Sequence, residues 1–217
     1  MRVISGTLKG RNIEGFNLDG TRPTMDRVKE SLFASIQNYI EGATVLDLFA
    51  GSGNLGIEAI SNGSDFVYFC DKNSEAVKVI NKNLDNFRIK DKALVYNLDY
   101  MECLKILSNN KKSFDIIFLD PPYAMEVLSD VIEFVLSKNL LKDNGIIVCE
   151  VGNDYLKDYN NLTRIKEKKY GDKYIIVFKK ARVPILFKRS TSAFEDGNDV
   201  LDNFDSLRLT SSAVFWG

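Results

Sequence analysis

The sequence feature that most constrains the fold is a regular alternation that begins at residue 44. Short apolar runs, each followed by a longer amphipathic segment, continue to about residue 151. The apolar runs are Thr44–Phe49, Phe66–Cys70, Ala93–Tyr96, Phe114–Leu119 and Gly145–Val151, and the amphipathic segments between them are Asn54–Ser61, Ser74–Phe87, Tyr100–Leu107 and Val127–Ser137. Continuously apolar strands separated by helices are typical of a parallel sheet covered on both faces. The pattern therefore predicts a doubly wound α/β fold.

Two more strand-like runs follow and predict an antiparallel hairpin at one edge of the sheet. They are Leu162–Lys169 and Lys173–Lys179, and the turn-forming pair Gly171-Asp172 lies between them. A smaller hairpin is expected at the amino terminus, because Met1–Phe16 holds three glycines among short β-leaning runs. We thus expect a mostly parallel, seven-stranded sheet accompanied by these two hairpins.

A helix is predicted between the small hairpin and the sheet. Thr24 is placed to cap this helix, which is expected to run to about Tyr39. Phe33, Ile36 and Ile40 recur at helical spacing, so they are expected to form its buried stripe.

The composition excludes several classes of enzyme. Because the 217 residues contain no histidine, a Ser-His-Asp or Cys-His nucleophile, an HExxH zinc site and a two-histidine iron site are all ruled out. The cysteines are odd in number, widely spaced and set in apolar runs, so we interpret Cys70, Cys103 and Cys149 as reduced core residues. No metal site is expected.

Charge and hydropathy bear on location and partners. The first ten residues lack the apolar core of a signal peptide, and no stretch approaches the roughly 18 apolar residues of a membrane span, so we expect a cytoplasmic protein. We also expect a monomer. Lys and Arg number 29 against 30 Asp and Glu, so nucleic-acid contact would require a local basic cluster. Residues 181–217 follow the last predicted strand and are treated as a tail of unknown role.

The stretch Val45–Gly56 joins a predicted strand to a predicted helix through a Gly-x-Gly-x-x-Gly pattern. Glycines permit a sharp turn and the close approach of a ligand, and a helix amino terminus favours polar or anionic groups. We interpret this loop as a cofactor site formed by Asp47, Phe49, Gly51 and Gly53. A purely structural turn is the alternative.

Two further acids follow the second and third predicted strands. Asp71 ends the second strand, where a doubly wound sheet places the carboxylate that accepts both ribose hydroxyls of a nucleoside. Its alternative is an acid on a solvent-facing loop. Asp99 is placed either to accept a hydrogen bond from an adenine amine or simply to cap the next helix, and both readings stay open.

The most specific motif is Asp120-Pro121-Pro122-Tyr123, directly after the fourth apolar run. Two prolines remove two N–H donors and stiffen the loop, which then offers acceptors: the Asp120 carboxylate and a backbone carbonyl. Such a pocket suits an amino group, and Tyr123 adds a flat face on which a base can stack. A generic proline-rich turn is the alternative.

These parts fit one reaction best, the transfer of a methyl group from S-adenosylmethionine to an exocyclic amine. Hydrogen bonds from the amine to Asp120 and to the Pro121 carbonyl would aim its lone pair and stabilise the positive charge that develops on nitrogen. Holding both reactants in line supplies much of the remaining rate. No histidine is required.

Four stretches resemble the bacterial 16S rRNA guanine-N2 methyltransferase family (the RsmD type). They are Met1–Arg11, Arg22–Phe33, Val45–Ala59 and Leu119–Tyr123, and the resemblance extends over about residues 1–180. It implies a Rossmann-like class I methyltransferase that acts on N2 of one guanine, of the guanine 966 type, in 16S rRNA of the small ribosomal subunit.

The resemblance also assigns roles by position. Gly51, Gly53, Asp71 and Asp99 would hold the cofactor, while Asp120, Pro121 and Tyr123 would hold a flipped guanine. The RNA contacts would come from the N-terminal hairpin and the basic residues around it, namely Arg2, Lys9, Arg11, Arg22 and Arg27; on charge alone, this cluster could equally be a solvated basic face. The implied organisation is an RNA-binding extension over residues 1–20, a methyltransferase domain over residues 21–180 and the tail.

Three alternatives differ in activity. A DNA or other RNA amine methyltransferase, such as one acting on adenine N6, would use a similar Asp-Pro-Pro-Tyr loop, but the N-terminal stretches argue against it. A nicotinamide-dependent dehydrogenase would share the glycine loop and leave the Asp120 motif without a role. A catalytically silent RNA-binding scaffold would need neither loop.

Overall fold

The computed structural model describes residues 1–15, 23–121, 125–152 and 156–182. The strands in this part of the chain are β1 (Thr44–Asp47), β2 (Phe66–Asp71), β3 (Ala93–Asn97), β4 (Phe114–Leu119), β5 (Leu141–Val151), β6 (Leu162–Tyr170) and β7 (Lys173–Lys180). The helices are α1 (Pro23–Ile36), α2 (Asn54–Ser61), α3 (Ser74–Phe87), α4 (Tyr100–Asn109) and α5 (Met125–Ser137). Short 3-10 turns cover Gln37–Tyr39 and Lys90–Lys92.

The seven strands form one sheet in the order β3-β2-β1-β4-β5-β7-β6. Strands β1 to β5 pair in parallel, β7 runs antiparallel to β5, and β6 runs antiparallel to β7. The predicted mostly parallel sheet with an antiparallel C-terminal hairpin is therefore confirmed. The strand order reverses between β1 and β4, and open α/β sheets bind ligands at the carboxyl ends of the strands beside such a reversal.

The five inner strands, β1, β2, β4, β5 and β7, bury side chains on both faces, whereas the edge strands β3 and β6 are mostly half-buried or exposed. Along β1, Val45 belongs to the core under α1, α2 and α3, whereas its neighbour Leu46 belongs to the core under α4 and α5. Because successive strand residues point to opposite faces, a strand covered on both sides must be apolar throughout. The three cysteines are buried and form no disulfide, as their apolar surroundings predicted.

The N-terminal segment, Met1–Gly15, pairs with itself only briefly. One antiparallel bridge joins Arg2 to Asn12, and the Val3 N–H donates to the Arg11 carbonyl at 2.9 Å. Gly6 adopts a φ of +76°, and a Cβ built there would lie 1.8 Å from the Ser61 carbonyl oxygen. A glycine is therefore required where this segment lies on α2.

Helix α1 begins at Pro23, one residue before the predicted cap Thr24. Proline suits the first helical position because its missing N–H would have no partner there. The predicted stripe of Phe33, Ile36 and Ile40 is buried against the sheet. Among the described residues, every helix is too short or too polar to span a bilayer.

Candidate active site

The glycine loop follows β1 and leads directly into α2. Gly51 and Gly53 have φ values of +54° and +79°, in the left-handed region that side chains disfavour. Gly53 occupies the cap position of α2 without any side-chain cap. Gly56 packs α2 onto the sheet, since a Cβ built there would lie 2.2 Å from the Phe69 ring. Glycine is therefore favoured at each of the three positions, by the backbone conformation at Gly51 and Gly53 and by the close packing at Gly56.

Asp47 ends β1 and lies almost fully buried beneath the glycine loop. Its Oδ2 accepts a hydrogen bond from the Gly56 N–H at 2.9 Å, which satisfies one of the early donors of α2. Burial raises the pKa of Asp47 to about 7; the Gly56 hydrogen bond opposes this rise, and the nearby Asp71 carboxylate adds to it. The hydrogen bond from Gly56 to Asp47 thus fixes the end of the glycine loop to the end of β1.

Asp71 ends β2, as the sequence predicts, and faces the same loop. Its Oδ2 accepts from the Gly51 N–H at 2.8 Å, and its Oδ1 accepts from the Asn73 N–H at 2.8 Å. A carboxylate has about four acceptor positions. The two backbone donors therefore orient Asp71 and leave acceptor capacity on both oxygens for a pair of ligand hydroxyls.

Asp99 caps α4, which is the structural alternative that the sequence left open. Its Oδ1 accepts from the Met101 N–H at 3.0 Å, and its side chain is exposed. The next residue, Tyr100, packs its ring against Phe49 of the glycine loop, with 5.4 Å between ring centroids. The segments that follow β1 and β3 therefore contact each other at this edge, while capping alone accounts for the observed contact of Asp99.

Asp120 follows β4, which lies next to β1 in the sheet. The pKa of this carboxyl is raised to about 7, chiefly by burial and then by the negative charges of Glu150 and Asp47, while the positive charge of Lys173 opposes the rise. Pro121 is partly buried beside it. Pro122 and Tyr123, the other two residues of the predicted pocket, lie outside the described residues.

Glu150 and Lys173 are site neighbours that the sequence reasoning missed. They form an ion pair between β5 and β7, and both act electrostatically on Asp120. The position of Glu150 could have been predicted from the sequence, because an acid near the carboxyl end of an apolar strand parallel to β4 lies at the same sheet edge as Asp120. Lys173 was not, since its position depends on how the antiparallel hairpin pairs with β5.

The predicted RNA-contacting residues differ in their surroundings. Arg2 is 63% exposed and pairs with Asp26 at 3.2 Å, and Lys9 and Arg27 are exposed. Arg11 is exposed as well, and its guanidinium lies over the Phe87 ring, 4.5 Å from the centroid, and donates to the Asn86 carbonyl at 2.6 Å. Arg22 lies outside the described residues. The four described members of the cluster are therefore all exposed, although Arg2 and Arg11 also contact neighbouring residues.

The residues around the glycine loop fit a nucleoside-bearing cofactor such as S-adenosylmethionine. A Cβ built at Gly51 meets no atom within 4 Å, so the loop backbone borders open space beside the Asp71 carboxylate. Acceptors of this kind suit ribose hydroxyls. Within the described ranges, no group of three or more Cys, Asp or Glu side chains is arranged to hold a metal ion.

The sequence matches the profile of the family described as Conserved hypothetical protein 95 over residues 1–179. Ribosomal RNA small subunit methyltransferase D of Haemophilus influenzae is 37% identical over 173 residues, which are 79% of this chain and 89% of that protein. The protein of the same name from Escherichia coli is 32% identical over 69% of this chain and 71% of its own length. The solved structure of the Escherichia coli protein yhhF superposes with a TM-score of 0.73 at 30% identity, covering 83% of this chain and 98% of yhhF.

The profile match covers the N-terminal segment, the glycine loop and the Asp120 motif. The solved structure of yhhF shares the fold that carries them. On this combination of sequence match and fold, the chain belongs to the Conserved hypothetical protein 95 family and is a methyltransferase of the RsmD type.

Proposed function

We propose that this protein is an S-adenosylmethionine-dependent RNA methyltransferase that methylates N2 of one guanine, of the guanine 966 type, in 16S rRNA of the small ribosomal subunit. The observation that carries the proposal is the placement of Asp120. It follows β4 immediately beside β1, so the acceptor loop and the glycine loop leave adjacent strands at one sheet edge. Relatives named for the methylation of small-subunit rRNA support the choice of substrate.

When bound, S-adenosylmethionine supplies an activated methyl group. In the proposal, Asp71 receives the ribose hydroxyls on the acceptor capacity that its two backbone hydrogen bonds leave. Gly51 and Gly53 let the backbone approach the cofactor closely, and Asp47 holds the loop through Gly56. Phe49 lines the same edge against Tyr100. We also propose that Asp99 contributes to cofactor binding, in addition to the capping hydrogen bond that it accepts from the Met101 N–H.

Asp120 and the Pro121 carbonyl accept the N–H groups of the guanine amine in this proposal. These hydrogen bonds orient a nitrogen whose lone pair is delocalised into the base, and they stabilise its developing positive charge. The pKa of Asp120, near 7, also suits it to take the proton that the methylated amine releases. Pro122 and Tyr123 complete the loop, and Tyr123 stacks on the flipped base.

The substrate RNA is proposed to lie along residues 1–20 and the start of α1. Arg2, Lys9, Arg11 and Arg27 supply exposed positive charge there, and Arg22 is proposed to contact the RNA as well. Arginine and lysine contacts to phosphates position an RNA without reading its sequence. Residues 21–180 then form the methyltransferase domain proper.

The test is methyl transfer from labelled S-adenosylmethionine to small-subunit particles, naked 16S rRNA and DNA, with nucleoside analysis and mapping of the modified position. N2-methylguanosine at a single 16S rRNA position is expected. Transfer to DNA but not to small-subunit RNA, or N6-methyladenosine as the product, would contradict the proposal. Asp120→Ala protein from the same preparation controls for a contaminating activity.

A further inference from the structure

Lys29 of α1 has a buried ammonium group that the proposed reaction does not use. Only 3% of its side chain is exposed, and its Nζ contacts three oxygens from three parts of the chain. These are the Arg2 carbonyl at 2.6 Å, Asn54 Oδ1 at 2.7 Å and Glu58 Oε2 at 2.8 Å. Asn54 is the first residue of α2, directly after the glycine loop. One ammonium thus joins the N-terminal segment to the start of the helix that follows this loop.

Glu58, the partner of Lys29, is fully buried on α2 and also binds the N-terminal segment. Its oxygens accept from the Ile4 N–H at 2.9 and 3.0 Å, from the Ser5 N–H at 2.8 Å and from the Ser5 hydroxyl at 2.9 Å. Removing two charges from water carries a desolvation penalty that can exceed their mutual attraction. A buried ion pair is therefore weak evidence that the pair stabilises the fold. Such pairs are retained in some proteins because they fix one arrangement of the elements.

A second contact joins the other end of the N-terminal segment to the same loop. Asn83 of α3 is fully buried; its Oδ1 accepts from the Glu14 N–H at 2.9 Å, and its Nδ2 donates to the Glu14 carbonyl at 2.9 Å. The same Nδ2 donates to the Ser52 carbonyl at 3.1 Å, within the glycine loop. Both ends of the segment are therefore tied to residues in or next to the loop.

We propose that Lys29 is a positioning residue for the cofactor: it holds the glycine loop in its binding conformation and couples that conformation to the N-terminal segment. The coupling to RNA rests on the proposed function, in which this segment contacts the substrate. An RNA that binds the segment in this arrangement then favours the loop conformation that binds the cofactor, and the cofactor in turn favours RNA binding by the same factor. Lys29 contacts neither substrate nor cofactor and acts through Asn54 and Glu58.

The experiment measures S-adenosylhomocysteine affinity by calorimetry, with and without a 16S rRNA fragment, for the wild type and four variants. Lys29→Met removes the ammonium, and Lys29→Arg keeps a cation. Asn54→Ala removes only the hydrogen bond from Lys29 to the first residue of α2 and leaves the Lys29–Glu58 pair intact, so it serves if Lys29→Met fails to fold. The matched control is Lys180→Met, because Lys180 is also buried and donates to the Leu141 carbonyl at 2.8 Å, at the amino end of β5.

Lys29→Met is expected to weaken S-adenosylhomocysteine binding about 10- to 100-fold, the effect of one lost charge-assisted hydrogen bond, and to reduce the effect of RNA on that affinity towards none. Asn54→Ala should act in the same direction, and Lys29→Arg should restore most of the affinity. Lys180→Met should lower the Tm yet leave the affinity unchanged. If Lys29→Met and Asn54→Ala both keep wild-type affinity, Lys29 has only a structural role. A wild type that transfers no methyl to rRNA contradicts the proposed function, and the affinities measured without RNA still decide the role of Lys29.

Discussion

The Gly51 N–H donates to the Asp71 carboxylate across 2.8 Å, joining the glycine loop after β1 to the end of β2. This bond sets the orientation of the carboxylate and the conformation of the loop together. Gly51 has a positive φ, so its N–H can point at Asp71 while the α-carbon borders open space. The predicted cofactor residues from two strands therefore form one connected unit, and its disruption should affect ligand binding more than folding.

We expect Asp71→Ala to weaken S-adenosylhomocysteine binding by about 1–3 kcal/mol, because a charged acceptor and its hydrogen bonds are lost. Calorimetry provides the measurement. Asp65→Ala is the control, since Asp65 is an exposed acid just before the opposite end of the same strand. Equal affinities for the two variants would remove Asp71 from the site.

Asp120→Ala should fold normally and bind the cofactor, yet lose methyl transfer by roughly 10²- to 10³-fold, the usual effect of removing one group that stabilises transition-state charge. Burial already disfavours the ionised form of Asp120, so its removal should not lower the free energy of unfolding. Single-turnover rates and thermal unfolding measure the two quantities. Wild-type turnover in the variant would refute the assigned role.

The activity is expected to rise with pH through about 7, because Asp120 accepts hydrogen bonds best when ionised and its pKa is raised to about 7. Glu150→Gln removes a negative charge that raises this pKa, so the pH profile of kcat/KM should move to lower pH. Lys173→Met removes the opposing positive charge, so the profile should move to higher pH. Shifts in the same direction for both variants would contradict the electrostatic assignment.

The same raised pKa has a consequence for stability. The folded protein holds the Asp120 proton at pH values where an unfolded Asp, with a pKa of about 3.9, has lost it. The Asp120 contribution to the free energy of unfolding should therefore fall as the pH rises from about 4 to 7. Asp120→Asn should be less sensitive to pH over this window, as measured by urea denaturation.

Gly56→Ala should destabilise the protein by about 1–3 kcal/mol, the usual cost of overpacking a filled core. The added Cβ would lie 2.2 Å from the Phe69 ring, so either the buried ring or α2 must shift to make room for it. Gly152→Ala is the control, because a Cβ built there meets no atom within 4 Å. Urea denaturation of both variants tests the difference, and equal midpoints would contradict it.

Truncation after Lys180 should leave methyl transfer and cofactor affinity unchanged. Strand β7 ends at that residue, and the family profile matches residues 1–179. The comparison requires the full chain and the truncated chain assayed side by side. An inactive or unfolded truncated chain would assign residues 181–217 a structural or functional role.

The sequence by itself determined the order of the strands and helices along the chain, and it located Asp71 and Asp120 at strand ends. Apolar runs, helical periodicity and glycine patterns depend on neighbouring residues, so they can be interpreted without the fold. Tertiary structure alone decided that Lys29 is buried against Glu58 rather than exposed with the other basic residues. It likewise put Glu150 and Lys173 near Asp120, and Arg11 over Phe87. These relationships join residues far apart in the chain, and desolvation and Coulomb interaction depend on the packing that brings them together.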